Sequence, residues 1–274
     1  MTTTLLVHEF RRTRGPLGLV AGAAALLVAA GVLLALAPWP LVASFGAVVG
    51  VGAVGAMLPV ACCVLAVDYW RSGYGRLGYF THSLPVRGAR IYAVRLAYGL
   101  LVSLAGTALT AVLAIPVWMA AVFREVPEGT SLVAYLADAV RQWLVGVPAW
   151  ALVGGPAVIV LAAWGSLVGY YFAASIGSGS RFAGLHAAGP IVVFVLLYVV
   201  AQLAAFAGIV TIPWAVGRTG TDLGLVRVDI IGVLTSGSGA NDVMPVGFLV
   251  TYAVLGLVLI AWTARAWDHD VTLR

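Results

Sequence analysis

The amino-acid sequence predicts an all-α, polytopic membrane protein with six transmembrane helices, and three features lead to this prediction. The chain has 274 residues, of which 62% are hydrophobic and only 9% are charged. A soluble domain carries about 25% charged residues, so most of this chain requires lipid as its solvent. Six uncharged stretches reach the length of about 20 residues that a spanning helix needs. The charged residues lie mainly between these stretches.

The N-terminal segment, residues 1–15, is predicted to be cytoplasmic and amphipathic. Leu5, Leu6 and Phe10 recur at helical spacing within it, which favours a helix on the membrane surface over a disordered tail. The apolar run that follows, residues 17–37, is longer than the core of about 7–15 residues found in signal peptides. We therefore expect an uncleaved spanning helix.

The later elements follow from uncharged runs that are separated by prolines and polar segments. Pro38 and Pro40 cannot continue a helix and end the first span. Gly46 and Gly50 have GxxxG spacing, which either lets two helices approach closely in lipid or arises by chance. Residues 132–143, which are apolar on one face, are predicted to form an amphipathic helix at the membrane surface. The six predicted spans are residues 17–37, 42–67, 96–122, 144–174, 190–213 and 245–264.

The distribution of arginine predicts the orientation of the spans. All 15 basic residues are arginines, and eleven of them lie in the segments on the side of the two termini. The positive-inside rule therefore places both termini and the loop 68–95 in the cytoplasm. We expect a multi-pass protein of the cell inner (cytoplasmic) membrane, in contact with membrane lipid. No nucleic-acid partner is expected, because no basic soluble face with interleaved aromatic residues is present.

The chemistry that the sequence lacks narrows the function. The six predicted spans contain no Asp, Glu, Arg or His, whereas ion-coupled transporters hold such residues within the membrane. Asp68, at the end of the second span, is expected to pair with a loop arginine. Asp268, His269 and Asp270 form a possible metal site, but a solvated terminus is the favoured interpretation. No GxxxxGK[ST] phosphate loop occurs. We therefore predict no catalytic residue, no metal and no cofactor, and we do not expect an enzyme.

The segment Tyr69–Arg95 is a long basic interruption that carries five arginines and no acidic residue. Its central residues, YGRLGYFTHSLPV, resemble the cytoplasmic loop after the second span in permease subunits of ABC-2 type transporters. Those subunits carry a Gly-Tyr-aliphatic-Thr pattern, then Leu-Pro-Val, and a basic residue that opens the third span. The sequence departs from this pattern at Leu77, where an acidic residue is common, and at Phe80, the aliphatic position. The matching residues are Gly78, Tyr79, Thr81, Leu84, Pro85, Val86 and Arg95.

The resemblance implies a permease subunit driven by a separate ABC ATPase subunit. In that family, the loop 68–95 contains a short coupling helix that fits a cleft on the ATPase. A second permease subunit, identical or paralogous, would complete the pore, and the cargo would be an exported amphipathic or hydrophobic substrate such as a drug, peptide or lipid. The substrate-binding residues remain unknown, and the alternative is a non-transporting membrane scaffold or immunity protein. The implied ATPase-coupling residues are Tyr74, Gly75, Gly78, Tyr79, Phe80, Thr81, Leu84, Pro85, Val86 and Arg87.

Overall fold

Long helices form most of the protein. A computed structural model describes residues 2–75, 78–79, 83, 86–127, 129–145, 147–185, 188–219, 222–229, 232 and 243–269. The helices in this part of the chain are α1 (Thr2–Ala35), α2 (Pro40–Gly73), α3 (Gly88–Val122), α4 (Leu132–Leu144), α5 (Ala149–Gly177), α6 (Ala188–Thr211) and α7 (Gly247–His269). Six of them, all except α4, are long and apolar enough to cross a membrane. The predicted all-α fold with six candidate spans is therefore confirmed, and the orientation of the termini stays a prediction.

The first three helices extend beyond the predicted spans. Helix α1 is continuous from Thr2 to Ala35 and includes Pro16, so the N-terminal segment and the first span form one helix rather than two. At 1.5 Å per residue this helix is about 50 Å long, well over the hydrocarbon thickness of about 30 Å. Helices α2 and α3 extend in the same way into the predicted loop 68–95. The connection between them consists only of residues 74–87.

Helix α4 agrees with the amphipathic helix that the sequence predicts. It has 13 residues, and its N-terminus is capped by Ser131, whose hydroxyl accepts a hydrogen bond from the backbone N–H of Ala134 at 3.2 Å. A serine at this position satisfies one of the otherwise unpaired N–H groups of the first turn. Thirteen residues span about 20 Å, which is too short to cross the hydrocarbon core.

The chain divides into two compact units. The first contains Met1–Asp68, Val94–Val145 and Gly155–Leu167, and the second contains Tyr69–Ala93, Gly146–Gly154 and Val168–Arg274. These ranges give each unit parts of several helices.

Glycines let α1 and α2 approach closely within the first unit. A Cβ atom added to Gly31 would lie 2.7 Å from the backbone nitrogen of Gly50, and one added to Gly46 would collide with the backbone of Ala35. Side chains at these positions would force the two helices apart. The GxxxG spacing of Gly46 and Gly50 therefore marks a helix contact rather than a chance pattern.

A small antiparallel sheet in the second unit was not predicted. The sequence favours a polar loop between the fifth and sixth spans, but this segment contains β1 (Trp214–Thr219), β2 (Asp222–Arg227) and β3 (Val243–Pro245), in the order β2-β1-β3. Thr219 pairs with Asp222, so only two residues, Gly and Thr in the sequence, connect the first two strands. Hairpin connections of this length with glycine first are common.

Candidate functional site

The structure describes six of the ten predicted coupling residues. These six lie in the connection between α2 and α3 and are Tyr74, Gly75, Gly78, Tyr79, Val86 and Arg87. The other four lie outside the described residues and are Phe80, Thr81, Leu84 and Pro85. The predicted coupling helix therefore remains a prediction.

The described part of the connection includes helical residues and a helical hydrogen bond. Gly78 and Tyr79 are helical, and the backbone N–H of Ser83 donates to the carbonyl oxygen of Tyr79 at 3.1 Å. The N–H of Gly78 donates to the carbonyl oxygen of Gly75 at 2.8 Å. Gly78 is buried, whereas the side chain of Tyr79 is 68% exposed. This part of the connection therefore presents a large aromatic side chain at the protein surface.

An aromatic cluster, which we call the aromatic anchor, lies where α2 ends. It consists of Tyr69, Tyr74, Tyr171 and Trp267. The rings of Tyr69 and Tyr171 stack with their centroids 3.9 Å apart, and Tyr74 meets Trp267 edge-on at 5.7 Å. The indole N–H of Trp267 donates to the hydroxyl of Tyr69 at 2.6 Å, and that hydroxyl is 2.7 Å from the hydroxyl of Ser175. The anchor thus connects the C-terminal ends of α2, α5 and α7.

The start of α3 contacts the same end of α7. The N–H of Ala89 donates to Oδ1 of Asp268 at 2.9 Å, which places a carboxylate at the positive end of the α3 dipole. A Cβ atom on Gly88 would collide with the carbonyl oxygen of Trp267, so glycine permits this close contact. Both ends of the connection 74–87 are therefore attached to α7.

Asp268 has a structural role that the sequence did not indicate. The sequence left open a metal site at Asp268, His269 and Asp270, and Asp270 lies outside the described residues. The carboxylate of Asp268 instead caps the backbone of α3. Among the described residues, no group of three or more His, Cys, Asp or Glu side chains is placed to bind a metal ion.

Four charged residues meet in the first unit and form what we call the ion cluster: Glu9, Arg12, Asp68 and Arg95. Nε of Arg95 donates to Oε1 of Glu9 at 3.2 Å, and Arg12 contacts Glu9 and donates from Nε to Oδ2 of Asp68 at 3.0 Å. The side chain of Arg95 is 4% exposed and that of Glu9 is 11% exposed. Asp68 does pair with an arginine, as expected, but this arginine belongs to α1 and not to a loop.

The ion cluster connects residues of α1, α2 and α3 and contains two charges of each sign. Its formal charges cancel, which reduces the cost of burying them, although desolvation still opposes such a cluster. Next to it in the chain, the hydroxyls of Thr13 and Tyr98 lie 2.6 Å apart, and both residues are buried. The polar contacts are directional, so they define how these three helices pack. Two features of the sequence indicated parts of this cluster: the expected pairing of Asp68 with an arginine, and the spacing of Glu9 and Arg12, which lie one helical turn apart.

No model of a known protein family, no curated protein and no solved structure matches this chain. The likeness to ABC-2 permeases therefore depends on residues 74–86, on Arg95 and on the arrangement of six long apolar helices.

Proposed function

We propose that the protein is the permease subunit of an ABC-2 type transporter and that it exports an amphipathic or hydrophobic substrate. ATP would be hydrolysed by a separate subunit, and a second permease subunit would complete the pore. The observation that carries the proposal is the connection 74–87, which exposes Tyr79 and is attached at both ends to α7. Such an element suits a partner that drives movement from outside the membrane.

The contacts around this connection favour mechanical coupling. The aromatic anchor is close-packed and hydrogen-bonded, and protein interiors packed to this density transmit displacement instead of absorbing it. A push on Tyr79 would therefore move the attached ends of α2, α3 and α7 together. Coupling between distant sites needs a continuous physical path of this kind.

The charge near the connection favours an acidic docking surface on the partner. Arg71 lies in the last turn of α2, and Arg87 and Arg90 lie at the start of α3. All three are exposed, and acidic residues are absent between Asp68 and Arg95. Complementary charge across an interface accelerates association and selects partners. An ATPase subunit whose cleft has acidic residues at its rim and an apolar floor for Tyr79 would fit this surface.

A pull-down from native membranes solubilised in mild detergent tests the proposal. The tagged wild type is compared with Tyr79→Ala and with Tyr198→Ala, a matched control whose side chain is 56% exposed on α6. We expect mass spectrometry to identify an ATPase with a GxxxxGK[ST] loop in the wild-type and Tyr198→Ala samples. Tyr79→Ala should lose most of it while keeping the wild-type melting temperature.

The other outcomes are equally informative. Recovery of the ATPase by all three proteins would preserve the transporter but move its docking site away from Tyr79. Failure to recover an ATPase with any of them would overturn the proposal and favour the membrane scaffold or immunity protein.

A further inference from the structure

The sheet between α6 and α7 has an apolar face that points away from the protein. Successive residues of a strand alternate between the two faces of a sheet, and Val216 pairs with both Leu225 and Met244. These three residues therefore share one face with Trp214. Trp214 is 44% exposed, Leu225 63% and Met244 48%. We call the four residues the sheet patch.

The opposite face of the sheet is buried at the central strand, β1. Ala215 is fully buried and Gly217 is buried, and both alternate with the residues of the sheet patch. The exposure of the patch is therefore a property of one face and not of the whole sheet. An exposed apolar surface that is continuous over three strands usually marks a contact site.

Short connections hold one end of the sheet near the membrane boundary. Helix α6 ends at Thr211 and β1 begins at Trp214, while β3 ends at Pro245 and α7 begins at Gly247. Ala215 pairs with Pro245, so both connections leave the sheet at the same end. At no more than about 3.6 Å per residue, Trp214 lies within about 11 Å of the last residue of α6.

The length of α6 and the short connections place this end of the sheet at the level of the lipid headgroups. Helix α6 has 24 residues and is about 36 Å long, so its ends lie close to the edges of a hydrocarbon core of about 30 Å. The headgroup region adds about 5–8 Å on each side. A sheet attached by such short connections starts within or next to that region.

The row of the sheet patch nearest α6 and α7 combines an aromatic and a charged side chain. Trp214 pairs with Arg227 in this row, and the guanidinium of Arg227 lies 5.5 Å from the centroid of the Trp214 ring. The next row of the same face contains the rest of the sheet patch. Tryptophan is enriched at the membrane interface, and arginine is well suited to bind phosphate.

We propose that the sheet patch is a membrane-contact surface that lies against phospholipid, with Arg227 next to a headgroup phosphate. The patch would continue the apolar surface of α6, where Leu203 and Phe206 are exposed. This contact holds the connection between α6 and α7 at the bilayer surface. It depends on the spanning helices alone and not on the proposed transport function.

Spin-label accessibility in vesicles tests this contact. The only two cysteines, Cys62 and Cys63, are replaced by alanine, and one cysteine is introduced in place of Leu225. Asp138, whose side chain is 67% exposed on α4, provides a control position that faces water. The labelled proteins are reconstituted into phosphatidylethanolamine–phosphatidylglycerol vesicles and exposed to oxygen, which enters lipid, or to a water-soluble nickel chelate.

We expect the ratio of oxygen to nickel collisions to be several-fold higher at Leu225 than at Asp138. A label at Met244, which lies on the same face of β3 at the other edge of the sheet, should give the same result as Leu225 and shows that the result does not come from a local change in one variant. Each variant must first elute as the wild type does from a sizing column. Equal ratios at Leu225 and Asp138 would show that the patch faces water and would overturn the proposal.

Low access for both reagents would also overturn the proposal, because protein and not lipid would then cover the patch. Dipolar broadening between labels would identify a second copy of the chain as the cover. Low access without broadening would assign the cover to another segment of the same chain.

Discussion

Replacing Arg95 by methionine removes a buried charge from the ion cluster while keeping a side chain of similar length. Nε of Arg95 lies 3.2 Å from Oε1 of Glu9, and neither side chain is more than 11% exposed. Two unit charges at this distance attract by about 5 kcal/mol at an effective dielectric constant of about 20. Removing one partner of a buried ion pair costs about 3–5 kcal/mol. We expect Arg95→Met to destabilise the fold by about 3 kcal/mol, the lower end of this range, because Arg12 still contacts Glu9.

A matched variant separates burial from the mere loss of an arginine. Arg141 pairs with Asp138 at 3.8 Å, but its side chain is 82% exposed, and exposed pairs contribute at most about 1 kcal/mol. Arg141→Met should therefore change the free energy of unfolding very little. Both variants are measured by unfolding in mixed micelles that contain increasing amounts of a denaturing detergent.

A double mutant tests whether the lost stability comes from Glu9. Once Arg95 is replaced, the cluster has a net negative charge, and Glu9→Gln removes the excess. The pair Glu9→Gln with Arg95→Met should therefore be less destabilised than the sum of the single variants, as expected for residues in direct contact. If Arg95→Met destabilises no more than Arg141→Met does, the ion cluster does not stabilise the packing of α1, α2 and α3.

Three further substitutions test the close contacts. Gly88→Ala should destabilise by about 1–3 kcal/mol through overpacking against the backbone of α7, whereas Gly55→Ala, which has nothing within 4 Å of its Cβ position, should melt like the wild type. Tyr69→Phe removes the acceptor of the indole N–H and should cost about 1–3 kcal/mol of unfolding free energy, compared with almost nothing for Tyr198→Phe. Gly46→Ala should lower the melting temperature in detergent because the new methyl group separates α1 from α2. A wild-type melting curve for any of the three destabilising variants would contradict the packing described for it.

The six candidate spans were predictable because lipid exposure imposes one strong rule on the sequence. Uncharged stretches such as residues 17–37 and 42–67 correspond to the apolar parts of α1 and α2. The helix ends were less predictable, because some helices continue past the apolar run into charged residues that pair with residues distant in sequence. Asp68 illustrates this point, since it belongs to α2 and is paired with Arg12.

The contacts that define the candidate site come from residues far apart in the sequence. Tyr69 and Trp267 are separated by 198 positions, and no local pattern indicates that they meet. The sheet was missed although its β1–β2 hairpin is local in sequence. Only the third strand depends on a distant pairing, since β3 has three residues and pairs with β1. The motif in residues 74–86 predicted the position of the connection but not the anchor that holds it.

The shortness of the connection bears on how a partner could act through it. A loop over the whole of residues 68–95, as the sequence predicts, could absorb a displacement of Tyr79 by changing its own conformation. The connection 74–87 has less conformational freedom, because the aromatic anchor fixes one end and the contact of Ala89 with Asp268 fixes the other. A partner that moves Tyr79 must therefore either break these contacts or move the helix ends with the connection. In the proposed transporter, movement of the helix ends with the connection is the productive outcome. It also costs less free energy than breaking the contacts, because Tyr69 and Trp267 are buried.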